Sequence, residues 1–270
     1  MTENEWMLTS VLDCRRVDLT VNKDELTPAQ RSRYDWMQAR RIEGEPLQYV
    51  LGQCDFMGIA LSVDRRALIP RPETEILVDL TIEKIRSGPK KMRNVLDIGT
   101  GSGNITVALL RYFSNMNVTA LDISDDALAL AIKNARANNV EERIRFLNND
   151  MVFYMREAAR LGERFDVIIS NPPYILTGQM AQLPVDVQRE PRVALDGGND
   201  GLRFYRSIIE HGWQLLSADG FLVMEIGDGQ RGGIEEIFAQ YPQYGEIKFY
   251  KDYVGTDRIV LARPGRSWKN

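Results

Sequence analysis

The chain has 270 residues, of which 44% are hydrophobic and 27% charged, the composition of a globular protein long enough to bury a sizeable core. No apolar run could span a bilayer, and the acidic start MTENEWM has no secretory or transit pattern, so we expect a cytoplasmic protein without membrane contact. The net charge of -4 gives no overall attraction to phosphate backbones and therefore disfavours nucleic acid as a partner.

The first fifty residues predict a small helical domain. The stretch SVLDCRRV is helical, and LTPAQRSRYDWMQARRIEG predicts a second helix with Thr27 as N-cap, Pro28 in the first turn and Gly44 past its end. Cys14 and Cys54 are far apart and have no CxxC spacing. We therefore expect ordinary, partly buried thiols and neither a disulfide framework nor a zinc site.

Two further elements precede the regular part of the chain. The stretch CDFMGIALSV predicts a hairpin of two short strands around Gly58. The stretch LIPRPETEILVDLTIEKI predicts a helix that begins after two prolines. Glu73 and Glu75 fall in its first turn, where the helix dipole favours acidic side chains, so a purely structural role is open for both.

From Asn94 onwards, strands alternate with helices. The predicted strands are NVLDIG, NVTALDI, IRFLNN, DVIIS, FLVMEIG, EIKFYKDY and RIVLAR. The predicted helices begin near Asn104, run from Asp125 to about Asn138, and cover GLRFYRSIIEHGWQLL and GGIEEIFAQY; none is predicted between IRFLNN and DVIIS. Nearly continuous apolar strands indicate an α/β fold whose mostly parallel sheet of about seven strands is covered on both faces.

The only histidine, His211, lies in the helical stretch IIEHGWQLL without evident partners. A Ser-His-Asp triad or a two-histidine metal site would have to use this residue. We therefore expect a structural role for His211 and no metal in the site.

A glycine-rich turn, DIGTGSGN, follows the first strand of the alternating region. Its glycines permit a tight strand-to-helix turn, and the helix N-terminus offers free N–H groups to a ligand. A glycine loop by itself can also be a structural turn. We expect a cofactor at the five residues Gly99, Thr100, Gly101, Ser102 and Gly103.

Two carboxylates follow the next two strands. Asp122 ends the second strand and is expected to accept both ribose hydroxyls of a nucleoside, whereas Asp150 ends the third and is expected to accept the exocyclic amine of adenine. Met151 would pack on the adenine ring. Singly, each carboxylate could be a loop or capping residue. Because the pattern GxGxG lacks the last glycine of GxGxxG, S-adenosylmethionine is favoured over NAD.

The fourth strand ends in the sequence NPPY. Pro172 and Pro173 have no N–H, so the strand end presents hydrogen-bond acceptors. The side-chain carbonyl of Asn171 and the main-chain carbonyl of Pro172 would each accept one hydrogen of a substrate NH2 group and orient its nitrogen. Tyr174 would form a flat wall against a planar substrate. The alternative is a strand-ending loop with a buried tyrosine.

These motifs resemble a known family. DIGTGSG followed by SNPPY is similar to the class I methyltransferases that modify planar NH2 groups of DNA adenine, guanine and protein glutamine. The stretches LQYVLG, LIPRPETE, REPRVALDGGNDGLRFYR, EIGDGQ and DYVGTDRIVLA narrow the resemblance to the release factor glutamine methyltransferase (HemK/PrmC) family, over nearly the whole chain from about Gly44. Several families share NPPY, whereas PRPETE with EPRVALDGG is specific.

The resemblance implies a class I S-adenosylmethionine-dependent methyltransferase fold with a seven-stranded, mostly parallel, Rossmann-like sheet. It divides the chain into an N-terminal helical domain (1–50), a β-hairpin linker (51–70) and a methyltransferase domain (71–270). It further implies N5-methylation of the glutamine in the GGQ motif of class 1 peptide chain release factors. We expect a monomer.

By motif, the resemblance implies roles for individual residues. Gly99 to Gly103, Asp122 and Met151 would line the cofactor, Asn171 to Tyr174 would hold the glutamine, and Pro70 to Glu75 would line the cleft near both ligands. The chain departs from the family pattern twice. The N-terminal helical region is short, and Arg189 stands where an aromatic residue often precedes the EP pair, a change in the substrate-side loop.

Three other functions are open at this point. The substrate could be another protein glutamine, such as one in a ribosomal protein, or a DNA adenine, although no basic DNA-binding domain is evident. The chain could also be a non-catalytic adapter that binds the cofactor and a translation factor, which the retention of Asn171 and Pro172 disfavours. A haem protein is unsupported because no CxxCH is present.

Overall fold

The N-terminal residues form a small helical cluster. The structure is a computed structural model that describes residues 1–20, 26–88 and 92–265. Its first helices are α1 (Glu3–Leu12), α2 (Pro28–Ile42) and α3 (Leu47–Leu51). Thr27 caps α2 as predicted, whereas α1 lies earlier than the predicted stretch SVLDCRRV because Asp13 adopts a left-handed conformation (φ 50°) that ends it. The helices share a buried core of Met7, Val11, Tyr34, Met37 and Val50.

The predicted hairpin is present and leads to helix α4 (Pro72–Ser87). Strands β1 (Gln53–Phe56) and β2 (Ile59–Ser62) pair antiparallel. Met57 and Gly58 connect them with φ values of 54° and 73°, the two-residue turn that matches the twist of a hairpin. The N–H of Met57 donates to Oε1 of Glu75 at 2.8 Å, so one of the PRPETE glutamates fastens the hairpin to α4.

The rest of the chain builds a sheet with helices on both sides. The strands in this part of the chain are β3 (Asn94–Ile98), β4 (Asn117–Asp122), β5 (Ile144–Asn148), β6 (Phe165–Ser170), β7 (Ile175–Leu176), β8 (Asp196–Gly198), β9 (Leu216–Glu225), β10 (Tyr244–Lys251) and β11 (Asp257–Pro264), of which β7 and β8 form a separate pair outside the sheet. Its helices are α5 (Asn104–Tyr112), α6 (Asp125–Ala137), α7 (Met151–Arg160), α8 (Arg203–Gly212) and α9 (Arg231–Ala239).

Within the described residues, the central sheet has seven strands in the order β10-β11-β9-β6-β3-β4-β5. Strand β11 is antiparallel to both neighbours, and the other pairings are parallel, which confirms the predicted fold class. Along β6, Val167 and Ile169 join one buried core and Ile168 joins the core on the other face. Burial of both faces is the reason why these strands are apolar throughout.

Helix α7 and the short pair β7–β8 are absent from the sequence-based prediction. Asp150 caps α7, since its Oδ1 accepts from the N–H groups of Val152 and Phe153 at 2.9 and 3.0 Å. The helix then buries Tyr154, Met155 and Ala158 against the sheet. An N-cap followed by this amphipathic spacing is a readable helix signal. Strands β7 and β8 are only two and three residues long, too short for a periodic pattern.

Three further features concern membrane spans, the cysteines and the histidine. None of the helices in the described part of the chain is long and apolar enough to cross a membrane. Cys14 and Cys54 are both free and half-buried. His211 is buried in the last turn of α8, and burial lowers its pKa, which favours the neutral imidazole.

Candidate active site

A cavity of about 300 Å³ lies at the carboxyl ends of the central strands. Parallel sheets of this type bind ligands at that edge. Most of the predicted site residues line it: Gly99, Thr100, Gly101, Ser102, Asp122, Asp150, Met151, Asn171, Pro172 and Pro173. Gly103 and Tyr174 do not contribute to its wall. The structure thus brings both predicted halves of the site, the nucleoside half and the NPPY half, around one cavity.

The glycine turn has the backbone that its sequence predicts. Gly99, Gly101 and Gly103 have φ values of 73°, 56° and 79°, which side-chain-bearing residues rarely adopt. A Cβ on Gly103 would lie 3.1 Å from the Cβ of Ala131 in α6. Gly103 therefore allows the start of α5 to approach α6 closely. Its role is in helix packing, and it does not line the cavity.

The carboxylate of Asp97 stabilises this turn through hydrogen bonds, a role that is not predicted from the sequence. Its carboxylate is fully buried, and Oδ2 accepts from the hydroxyls of Thr100 at 2.7 Å and Thr106 at 2.6 Å. Burial raises the pKa of Asp97 to about 6. Above that pH the carboxylate is charged and holds both hydroxyls at the start of α5.

Asp122 keeps acceptor capacity toward the cavity. Its Oδ2 accepts from the N–H of Gly101 at 2.8 Å, and its Oδ1 accepts from the N–H of Ser124 at 2.9 Å. Burial raises its pKa, opposed by these backbone bonds. Each carboxylate oxygen can accept two hydrogen bonds, so one position on each remains for a pair of ligand hydroxyls.

Ser102 provides an independent test of whether a polar ligand fits this cavity. Its side chain lines the cavity wall and is only 2% exposed. In the described part of the chain its Oγ has no hydrogen-bond partner. Buried hydroxyls are normally paired, so this one is suited to a ligand with polar groups. The residues present therefore fit a nucleoside cofactor with a polar tail.

We expect Asp122→Ala to weaken binding of S-adenosylmethionine by about 10- to 100-fold, because hydrogen bonds to a charged group contribute roughly 1.5–3 kcal/mol. Isothermal titration calorimetry of the folded variant measures the effect. Asp125→Ala is the matched control, since this exposed carboxylate starts α6 outside the cavity wall. An unchanged dissociation constant for Asp122→Ala would reject the assignment to the ribose.

Asp150 and Met151 lie together at the end of β5 and the start of α7. Both line the cavity. Oδ1 of Asp150 is occupied as the N-cap of α7, so the capping role that the sequence leaves open is present. The predicted bond to the adenine amine stays a prediction and would have to use the remaining acceptor capacity of Asp150.

The NPPY segment leaves the sheet directly after β6. The side-chain N–H of Asn171 donates to Oγ1 of Thr74 at 3.0 Å, and the Thr74 hydroxyl donates to Oε2 of Glu225 at 2.7 Å. The Tyr174 hydroxyl donates to Oε1 of the same carboxylate at 3.4 Å. Tyr174 thus lies behind the cavity wall, and its predicted stacking on the substrate stays a prediction.

Glycines from distant motifs fit tightly around this segment. A Cβ on Gly197 would lie 2.7 Å from the Cα of Tyr174 and 2.8 Å from the carbonyl oxygen of Pro173. A Cβ on Gly201 would lie 2.5 Å from the carbonyl oxygen of Tyr174. Gln230 binds that same carbonyl through its Nε2 at 2.9 Å. The motifs ALDGGNDG and EIGDGQ therefore support the NPPY backbone, a function that the sequence alone does not reveal.

The PRPETE segment contributes to the cavity through other residues than its glutamates. Pro70, Arg71 and Thr74 line the wall, whereas Glu73 and Glu75 do not. Arg71 forms an ion pair with Glu190, which is 5% exposed. Burial raises the pKa of Glu190, and the ion pair opposes that rise. The EP pair is thereby linked to the PRPETE segment.

Arg189 connects the loop before β8 with the N-terminal domain. Its guanidinium donates to the main-chain oxygen of Glu43 at 2.9 Å. Nearby, a Cβ on Gly44 would lie 2.8 Å from the side chain of Val185. Arg189, which stands where the family often has an aromatic residue, thus lies at a contact between the loop and the helical domain.

Comparison with known proteins identifies the family. Residues 2–52 match the profile of the PrmC N-terminal domain, and residues 74–186 match that of the methyltransferase small domain. A release factor glutamine methyltransferase of Moorella thermoacetica is 38% identical over 240 residues, which cover 89% of this chain and 82% of that protein. The chain belongs to the release factor glutamine methyltransferase family. The resemblance noted in the sequence is confirmed.

Further members of the family agree. The release factor glutamine methyltransferase of Geobacter sulfurreducens is 38% identical over 267 residues, 97% of this chain and 89% of that protein. Among solved structures, an S-adenosylmethionine-dependent methyltransferase from Agrobacterium tumefaciens is 14% identical and aligns with a TM-score of 0.55 over 79% of this chain and 70% of that one. At this identity the structural match supports the fold alone.

Proposed function

We propose that the protein transfers a methyl group from S-adenosylmethionine to the side-chain amide nitrogen, N5, of the glutamine in the GGQ motif of class 1 peptide chain release factors. One observation carries the proposal. A single cavity is lined on one side by the glycine turn and Asp122 and on the other by Asn171 and two prolines. The related release factor glutamine methyltransferases supply the substrate class.

The nucleoside half of the cavity would hold the cofactor. S-adenosylmethionine supplies an electrophilic methyl group on a positively charged sulfur. Asp122 would bind the ribose hydroxyls and Met151 would pack on the adenine, while Asp150 would bind its amine. The turn from Gly99 to Gly103 would allow close approach of the cofactor to the backbone.

The NPPY half would hold the substrate amide. Oδ1 of Asn171 and the main-chain oxygen of Pro172 would accept the two amide hydrogens, and Pro173 adds no donor to that backbone. An amide is a poor nucleophile, so most of the acceleration must come from orientation of its nitrogen and from stabilisation of the positive charge that develops there. The methylated nitrogen is strongly acidic and loses its proton to water, so no histidine is required.

The finer assignments are proposals as well. We propose the domain division 1–50, 51–70 and 71–270, which is supported by the separate core of α1, α2 and α3. We also propose action in the cytoplasm as a monomer, on a protein rather than a nucleic acid. The net charge of -4 supports the last of these, because it gives no overall attraction to phosphate backbones. That the N-terminal region is shorter than the family pattern stays a prediction.

Mass spectrometry tests the function. A purified class 1 release factor is incubated with the protein and S-adenosylmethionine, and the digest is searched for a gain of one methyl group. We expect that gain on the GGQ glutamine and none on a release factor whose glutamine is replaced by asparagine. Cofactor binding without methylation of the release factor would redirect the search to another glutamine-bearing protein, such as a ribosomal protein, or to a DNA adenine. Binding of both partners without any transfer would favour an adapter.

A further inference from the structure

A chain of hydrogen bonds runs from the cavity wall into the core of the protein. It begins at the side-chain N–H of Asn171, passes through the hydroxyl of Thr74 at 3.0 Å and ends at Oε2 of Glu225 at 2.7 Å. Thr74 is 1% exposed and Glu225 is 0% exposed, so water does not compete for these bonds. The three residues come from β9, α4 and the end of β6, far apart in sequence.

The direction of these bonds fixes which end of the Asn171 amide meets the cavity. An ionised carboxylate can only accept hydrogen bonds, so the Thr74 hydroxyl must donate its single hydrogen to Glu225. The same hydroxyl can then only accept from Asn171, and the group it accepts from must be the NH2. The carbonyl oxygen Oδ1 of Asn171 is thereby directed away from Thr74, while the residue itself lines the cavity.

We propose that Thr74 and Glu225 are positioning residues that hold the Asn171 amide with its carbonyl oxygen toward the substrate. The inference rests on the proposed function, because it specifies how the acceptor for the glutamine NH2 is kept in place. A flipped Asn171 would present its own NH2 to the substrate NH2, two donors facing each other. By preventing this flip, Thr74 and Glu225 favour substrate groups that donate hydrogen bonds.

The charge on Glu225 determines which group donates and which accepts along these hydrogen bonds. Burial raises its pKa to about 7, opposed by its bonds to Thr74 and Tyr174. When protonated, Glu225 can donate to Thr74, whose hydroxyl is then free to donate to Oδ1 of Asn171 and reverse the amide. The other ionisable groups facing this carboxylate and its strand end are Arg258, which lowers its pKa, Glu73, which raises it, and Tyr205, whose hydroxyl donates to the main-chain oxygen of Glu225 at 3.1 Å.

Turnover at saturating substrate tests the inference. We expect kcat to rise with pH through a midpoint near 7. In Thr74→Val we expect kcat to fall roughly 10- to 100-fold with little change in KM, by analogy with the loss of a residue that orients a metal ligand through a hydrogen bond. Thr74→Ser keeps the hydroxyl and restores kcat. The matched control is Thr81→Val, which removes a buried hydroxyl from the same helix that binds only the main-chain oxygen of Leu77.

A second readout needs neither cofactor nor substrate. The side-chain NH2 signals of Asn171 in a 15N NMR spectrum, assigned by their loss in Asn171→Ala, should shift with a midpoint near pH 7 in the wild type and stay constant in Glu225→Gln. Unchanged kcat in Thr74→Val would overturn the inference. Signals of Asn171 that ignore pH in the wild type would refute control of the amide orientation by the charge on Glu225. A wild-type protein that leaves the release factor unmethylated refutes the proposed function instead, and the NMR titration still decides the orientation.

Discussion

Asn171→Ala is expected to lose methyl transfer by about 10²-fold or more, by analogy with the loss of one transition-state hydrogen-bond partner. The variant removes the side-chain acceptor for the substrate amide while Pro172 keeps its main-chain carbonyl. Single-turnover kinetics with a release factor measures the loss. Cofactor affinity should change far less, because Asp122 and the glycine turn remain in place.

The control for this variant lies in the same hydrogen-bond chain. Asn171→Ala also leaves the Thr74 hydroxyl with one partner fewer, so Thr74→Val in the same background should add no further loss if the two residues act as a unit. Calorimetry with S-adenosylmethionine establishes that the variant is folded. Wild-type turnover in folded Asn171→Ala would remove Asn171 from the mechanism.

Much of the fold could be predicted because its signals are local. The hairpin requires only a two-residue turn between short apolar runs, and the turn at Met57 and Gly58 has the expected backbone. The parallel sheet follows from strands that are apolar on both faces. Helix α7 is not predicted although its N-cap Asp150 is recognisable, because ligand binding is favoured for this carboxylate and capping is only its alternative role.

The site could be predicted where it depends on strand ends. Asp122, Asp150 and Asn171 each follow a strand of the parallel sheet, and such ends meet at one edge, where all three line the cavity. Thr74 and Glu225 could not be predicted in the same way. They are 151 positions apart, and nothing in either local sequence indicates that a helix start and a strand end share a hydrogen bond.

The loop that contains Arg189 and Glu190 connects the cavity with the N-terminal helices. Glu190 binds Arg71 and the N–H of Ile69 at 2.9 Å, while the adjacent Arg189 binds the oxygen of Glu43. Two neighbouring residues thus link the loop to the cavity wall and to the helical domain. The segment that Arg189 connects to the helical domain is therefore held directly against the PRPETE wall.

Gly197→Ala is expected to lose methyl transfer by about 10²-fold, although Gly197 does not line the cavity. The added Cβ would lie 2.7 Å from the Cα of Tyr174 and 2.8 Å from the oxygen of Pro173, and these backbone atoms cannot rotate away as a side chain could. The NPPY segment must shift, and a displacement of about 1 Å at a reacting group can cost 10²-fold in rate. Overpacking should also destabilise the fold by about 1–3 kcal/mol.

The chain offers a matched control in the segment between β7 and β8. Gly178 has open space around the position of a Cβ, so Gly178→Ala should keep both activity and melting temperature. Gly197 does not have a positive φ, so a loss in Gly197→Ala reports the collision with Tyr174 and not backbone strain. Normal turnover in Gly197→Ala would mean that the NPPY backbone tolerates displacement. The acceptors at Asn171 and Pro172 would then not need the rigid support that the glycine contacts provide.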